Sequence, residues 1–256
     1  MASCENWNGS LKSLVPSCLE SLFVNDPLPS SLPASPTSLR ALLDLFVDPA
    51  PALARADRVP RSGWVPYLVL AVFQVFVAAL YFGRVDTSWL IARILSHVPR
   101  AARSAAAAHL SVGLLEGSTI AGVVLGTGVA LVISAAYYYI MLILSKRETT
   151  FFRMLSLAAW TSLPAVFGSV AALAIVLVSG PHIGLSALEP TAVAYLFHIH
   201  PGNRFYDAAS SFSLLMPWTW GLATLAFVRL YGYRPERALA LVLIPYVIYY
   251  AVIVLL

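Results

Sequence analysis

Charge is what this chain has least of: 11% of its 256 residues are Asp, Glu, Lys or Arg, against ~25% in an ordinary soluble domain. The scarcity is uneven. Five stretches, 64–83, 118–145, 155–179, 208–228 and 238–256, contain no Asp, Glu, Lys, Arg or His at all, and the shortest has 19 residues. At ~1.5 Å per helical residue that run reaches ~28 Å, close to the ~30 Å hydrocarbon core of a bilayer. Lipid offers backbone amides no partner, so such runs must close their own hydrogen bonds as helices. The missing charge excludes a water-soluble domain. It predicts an all-α polytopic membrane protein, a bundle of five transmembrane helices with interfacial amphipathic helices beside them.

Other absences narrow the function. Cysteine occurs only as Cys4 and Cys18, with no CxxC pattern, which argues against structural zinc. The first 30 residues hold one basic residue, Lys12, and no continuous apolar run, so no signal peptide is expected and the first span acts as its own insertion signal. No span contains His, Asp or Glu. An intramembrane serine protease, a metal-dependent intramembrane hydrolase and a proton-coupled pump each need one of these at membrane depth. The expectation is a non-enzymatic protein with no cofactor and no metal.

What is present sets the organisation. Residues 1–36 are rich in Ser, Pro and Asn and carry Pro27, Pro29, Pro33 and Pro36; such a segment buries too little apolar area to offset its ordering entropy and reads as disordered. In the lead-in, 37–63, Leu39, Leu42, Leu43 and Phe46 form one apolar stripe with Arg40 and Asp44 opposite. Thr37 or Ser38 can cap this helix and Pro49 ends it. It should lie on the membrane surface or against the bundle. A short helix from Pro51 to Val59 then leads through Pro60 and Gly63 to Trp64, an aromatic anchor. Between the first two spans, Leu90, Ile91, Ile94, Leu95 and Val98 line one side of another interfacial helix, with Arg93, His97 and Arg100 on the other.

Nine basic residues, Arg55, Arg58, Arg61, Lys146, Arg147, Arg153, Arg229, Arg234 and Arg237, fall on the side of the N-terminus, and five, Arg84, Arg93, Arg100, Arg103 and Arg204, on the other. The positive-inside rule then puts the N-terminus in the cytoplasm and the C-terminus outside. The net charge of +4 is scattered beside the spans rather than gathered in a patch, so it suits a lipid bilayer and not nucleic acid. Arginine outnumbers lysine 14 to 2 and alanine is abundant, a composition that hints at a GC-rich bacterial genome, so the expected location is a bacterial cytoplasmic (inner) membrane.

The strongest internal pattern is in the second span, where Ser118, Gly122, Gly126, Ala130 and Ser134 recur every fourth residue. Small residues let helix backbones approach, and this stripe is read as the central packing face of the bundle, with a homo-oligomer contact as the alternative. Pro164, Pro217 and Pro245 fall inside the third, fourth and fifth spans and should kink them. Broken helices also build transport sites, but those usually carry a buried charge, which these spans lack. His97, His109, His182, His198 and His200 all fall on the external side. His198 and His200, with His182, Glu189 and Asp207 nearby in sequence, match no established metal spacing. Tyr137, Tyr138, Tyr139, Tyr246, Tyr249 and Tyr250 read as packing residues whose hydroxyls find interhelical partners.

The pattern of residues 39–256 resembles the Yip1 domain family. The resemblance rests on the lead-in ending Phe46-Val47-Asp48-Pro49, the five clustered spans, the third-span segment Trp160-Thr161-Ser162-Leu163-Pro164, and the basic turn Leu230 to Leu239. Asp44-Leu45-Phe46 approximates the Asp-Leu-Tyr-Gly-Pro motif of eukaryotic members, and Ala159-Trp160 stands where they carry Gly-Tyr. Those members bind small Rab-type GTPases and support vesicle traffic; this sequence looks more like the bacterial branch. The resemblance implies no catalytic residue. The expected function is a membrane scaffold or organising adaptor working through the lead-in, the cytoplasmic turns and the second-span stripe. The alternative is a transporter component with a neutral solute pathway around Pro164, Pro217 and Pro245.

Overall fold

The structure is a computed structural model that describes residues 39–96 and 98–255. The 1–36 tail, Cys4, Cys18, the caps Thr37 and Ser38, and His97 lie outside the described residues. Within them the regular structure is helical, apart from isolated bridges such as Ala192 to Ser213.

The lead-in forms α1 (Leu39–Val47) and α2 (Pro49–Arg58), and Pro60–Gly63 adds one tight turn before α3 (Trp64–Arg84). Pro49 sits at the start of α2, where a missing N–H costs nothing. Asp86 then opens α4 (Thr87–Ser96), and a turn leads to α5 (Arg103–His109). The longest helix, α6 (Val112–Leu144), has 33 residues, ~50 Å, well beyond a bilayer core. Ser111 caps it by accepting the Leu114 N–H at 3.2 Å. After a turn at Lys146 come α7 (Phe151–Thr161) and α8 (Ala165–Val178), then the short α9 (Val193–Leu196) and α10 (Tyr206–Ser211), and finally α11 (Met216–Tyr231) and α12 (Pro235–Leu255).

Among the described residues four helical segments are long and apolar enough to cross a membrane: Pro60–Arg84, Val112–Leu144, Phe151–Val178 and Pro235–Leu255. They coincide, to within a residue at their C-terminal ends, with the predicted first, second, third and fifth spans. The predicted fourth span, 208–228, is divided between α10 and α11, and α11 has only 16 residues, ~24 Å. Pro217 explains the division. It stands in the first turn of α11 and starts that helix rather than kinking it. The residues before it turn back to the loop, with Val193 N–H donating to the Phe212 carbonyl at 2.8 Å and Leu214 N–H to that of Thr191 at 2.9 Å. Pro164 separates α7 from α8, and Pro245 lies inside α12.

The second-span stripe does not pack within the bundle. Ser118, Gly122, Gly126 and Ala130 are exposed, Ser134 is half-buried, and no atom lies within 4 Å of where a Cβ on Gly122 or Gly126 would stand. Leu131, Ala135, Tyr138 and Leu142 are the buried residues of α6. Tyr67 reaches the Val124 carbonyl on that same side, and Thr127 meets Gln74 at 3.3 Å. At ~100° per residue the buried face is roughly opposite Gly126. Small size alone gave no direction; the larger residues chose the face.

Two cores result. One, around Leu53, Leu142, Met154, Trp160 and Phe227, joins the lead-in to α6, α7, α11 and α12. The other, around Tyr81, Leu90, Val176 and Ile183, closes the opposite end, where the Tyr81 hydroxyl donates to the Ile183 carbonyl at 2.8 Å. There Asp86 accepts the Ser88 and Trp89 N–H groups at 3.0 and 3.1 Å and lies 3.6 Å from His182. The Ser88 hydroxyl and these amides hold its carboxyl below the usual carboxylate range.

Gly63→Ala should destabilise the protein by about 1–3 kcal/mol, because a Cβ there would stand 2.6 Å from the Ser156 Cα. Gly126→Ala should be neutral or stabilising; thermal unfolding in detergent distinguishes the two. The cap at Asp86 should be at full strength at neutral pH and weaken only as pH falls through its lowered pKa. Protection factors across 87–96, with the intrinsic pH dependence of amide exchange divided out, should therefore fall in acid, and Asp86→Asn should remove that fall.

Candidate functional site

The lead-in helices are built into the bundle by one buried carboxylate. α2 turns Ala52, Leu53 and Ala56 inward, and Asp57 goes in with them at 7% side-chain exposure. Its oxygens receive Arg153 Nε at 3.0 Å, a terminal guanidinium nitrogen of the same Arg153, and the Tyr231 hydroxyl at 2.8 Å. Three segments distant in sequence, α2, the start of α7 and the end of α11, therefore meet at one group. A two-point arginine contact is the strongest geometry available to a carboxylate, and burial is tolerable only because these donors replace water.

A second, neutral network lies beside it. Trp160 Nε1 donates to Ser62 Oγ at 3.1 Å, Ser62 and Ser156 share a hydroxyl contact at 3.1 Å, and Ser156 Oγ donates to the Ala56 carbonyl at 3.1 Å. Gly63 is needed where this turn touches the α7 backbone. At the other end of the lead-in, Arg55 pairs with Asp44 at 2.6 Å, tying α1 to α2. The Phe46 ring meets Phe167 edge-on at 5.1 Å and Trp218 at 5.5 Å. The sequence of contacts, Asp57 to Arg153, Ala56 to Ser156, Phe46 to Phe167, runs antiparallel along α7 to the first turn of α8. Of the two placements open to the amphipathic lead-in, the structure has it against the bundle.

Between α3, α6, α7 and the Pro60–Gly63 turn lies a cavity of about 870 Å³. Its walls are largely apolar and include Tyr67, Gly128, Leu131, Val132, Leu155 and Ala159, while Arg58, Arg61 and Thr150 line its polar margin. A smaller hollow of about 330 Å³ lies among Arg147, Arg234 and Arg237, with Tyr233 beneath the Arg147 guanidinium at 5.9 Å.

Among the described residues no three of His, Cys, Asp and Glu gather to hold a metal. His182 lies at the Asp86 end with its ring 5.3 Å from that of Trp89, and His109, His182, His198 and His200 are exposed. The stripe residues and Pro217 are not part of the lead-in site. Tyr137 and Tyr250 do find interhelical partners, the Leu241 carbonyl at 2.9 Å and the Ser211 carbonyl at 3.2 Å. Sequence reasoning missed Asp57 and Tyr231 and counted Arg153 only as a topological charge. The available signal was Arg153 itself, a charge at the mouth of an apolar run and thus in want of a partner.

A helical polytopic membrane architecture with its amphipathic lead-in docked onto the spans is the class that fold and site define. The chain belongs to the Yip1 domain family, whose model matches residues 43–256 and so takes in most of α1 and all of α2. Among curated proteins and among solved structures, none matches it. The residues that carried the resemblance have visible work here: Asp44 holds Arg55, Leu45 is fully buried, Phe46 meets two rings, and Trp160 holds Ser62.

Arg153→Met should cost about 3–5 kcal/mol, since it strands a buried carboxylate with only the Tyr231 hydroxyl. Asp57→Asn should cost less, about 1–2 kcal/mol, because Arg153, a third exposed, can turn toward water. Equal small losses in detergent unfolding would contradict this order.

Proposed function

We propose that this chain is a non-enzymatic membrane-organising scaffold of five spans, with the lead-in end in the cytoplasm and the C-terminus outside. The observation that carries the reading is the fixed lead-in: α1 and α2 are held by Asp57, Arg153 and Tyr231 as part of the folded body. A docked lead-in presents one constant surface to a partner, which suits an adaptor. The basic side chains Arg58, Arg61, Arg147, Arg234 and Arg237 are exposed around that end, as the inner-leaflet surface potential favours.

Five crossings are supported by the path of the chain. The segment after α8 joins the α3–α4 turn, through Asp86 N–H to the Pro181 carbonyl at 2.8 Å, whereas Tyr231 ends α11 beside Asp57. The chain must return between these two ends, and α11 with its preceding loop is what returns it. The outward stripe on α6 is the face a second copy would use. The transport reading gains little: of the three prolines only Pro245 lies past the first turn of a helix, and the larger cavity is mostly apolar.

A reporter active only in the cytoplasm should work when fused before Met1 and fail after Leu256. Activity at both ends would mean an even number of crossings and would overturn the five-span reading. Crosslinking in the native membrane should capture a reproducible protein partner through residues 40–58; solute-dependent protection of α12 without any partner would favour transport instead.

A further inference from the structure

The cavity beside the lead-in joins two chemistries that seldom occur together in one soluble ligand. Its interior, between Tyr67, Gly128, Leu131, Val132, Leu155 and Ala159, is apolar. Its margin includes two arginines, Arg58 and Arg61, and Thr150. No carboxylate lines it among the described residues.

The two arginines differ from their neighbours in having no partner among the described residues. Arg55 is taken by Asp44 and Arg153 by Asp57, whereas among the described residues neither Arg58 nor Arg61 makes an ion pair, a side-chain hydrogen bond or a ring contact, and both are exposed. Asp57, the nearest acid in sequence, is buried with its oxygens occupied by Arg153 and Tyr231, so it cannot neutralise them. The buried ion pair thus leaves two cations unspent at the rim of an apolar chamber. Trp64, exposed beside them, suits the headgroup level of a bilayer. Gly128 keeps the inner wall flat, since a Cβ there would already touch the Tyr67 hydroxyl at 3.4 Å.

A soluble anion would satisfy the arginines and leave the apolar chamber wet. An apolar peptide would fill the chamber and leave the arginines unused. A zwitterionic lipid brings an ammonium that opposes two guanidinium groups with no acid to receive it. We propose that this cavity binds one anionic phospholipid of the surrounding leaflet, its phosphate held by Arg58 and Arg61 and one acyl chain lying against Tyr67, Gly128, Leu131 and Val132. The volume of about 870 Å³ falls within the usual span for ligand sites. The site needs only the membrane setting and does not depend on the scaffold role.

Native mass spectrometry of the full chain in detergent, titrated with dioleoyl phosphatidylglycerol or dioleoyl phosphatidylcholine, tests this. The wild type should retain one phosphatidylglycerol per chain and hold it about 10-fold more tightly than phosphatidylcholine. Arg58→Gln with Arg61→Gln should erase that preference. Arg234→Gln with Arg237→Gln removes the same charge from the smaller hollow and should leave it intact; an equal loss would mean diffuse surface electrostatics and overturn the site. Val132→Trp fills the chamber from an exposed position, so the fold should survive, and it should weaken retention with both arginines present. Full retention in that variant would contradict the chain-binding half. Competition by sn-glycerol 3-phosphate at concentrations matching the lipid would show a soluble-phosphate site and overturn the lipid assignment. Thermal unfolding in the same detergent confirms that each variant compared is folded, and Val132→Trp carries the test if the double arginine variant is not.

Discussion

A carboxylate can leave water only where other donors take water's place, and Asp57 is such a group. Two guanidinium contacts from Arg153 and the Tyr231 hydroxyl surround it. An isolated buried charge would cost several kcal/mol, so α2 cannot move away from α7 and α11 without breaking all three contacts together. The geometry of the lead-in follows. With Asp57 fixed beside Arg153, the next five residues must turn within the reach of α7, and Ser62, Gly63 and Ser156 meet there at backbone distance. Trp64 then begins α3 in a set position.

The cavity and its unpaired arginines depend on the same contact. Its floor is the turn that Gly63 and Ser156 hold closed, and its walls are the neighbouring faces of α3, α6 and α7. Arg58 follows Asp57 directly, and when the carboxylate turns inward the adjacent arginine is turned out. One ion pair therefore both docks the amphipathic segment and sets the charge on the surface beside it.

Much of this could be read in the sequence, and the rest fails for identifiable reasons. Membrane helices were legible because absence of charge over 19 or more residues is a one-dimensional property, independent of what a helix touches. The fourth span was less so. Its apolar run continues through Phe212–Leu215, where backbone groups pair with the loop at Thr191 and Val193 and no helix forms. The small-residue stripe was legible as a pattern but not in its direction, because close packing and open lipid both tolerate glycine. The competing face, Leu131, Ala135, Tyr138 and Leu142, was equally periodic. The Asp57–Arg153 pair joins residues 96 apart, and neither lies in a motif. The family-like motif of the lead-in contributes beside that pair: Asp44 holds Arg55, Leu45 is buried and Phe46 meets two rings.

The central claim is that the lead-in belongs to the folded body. Hydrogen–deuterium exchange of the full chain in lipid nanodiscs measures this directly. Amides of Leu53–Arg58 should exchange as slowly as those of Met154–Thr161, the segment they are docked against. Exchange of Leu53–Arg58 within seconds, while Met154–Thr161 stays protected, would show a lead-in free on the membrane surface and would contradict it.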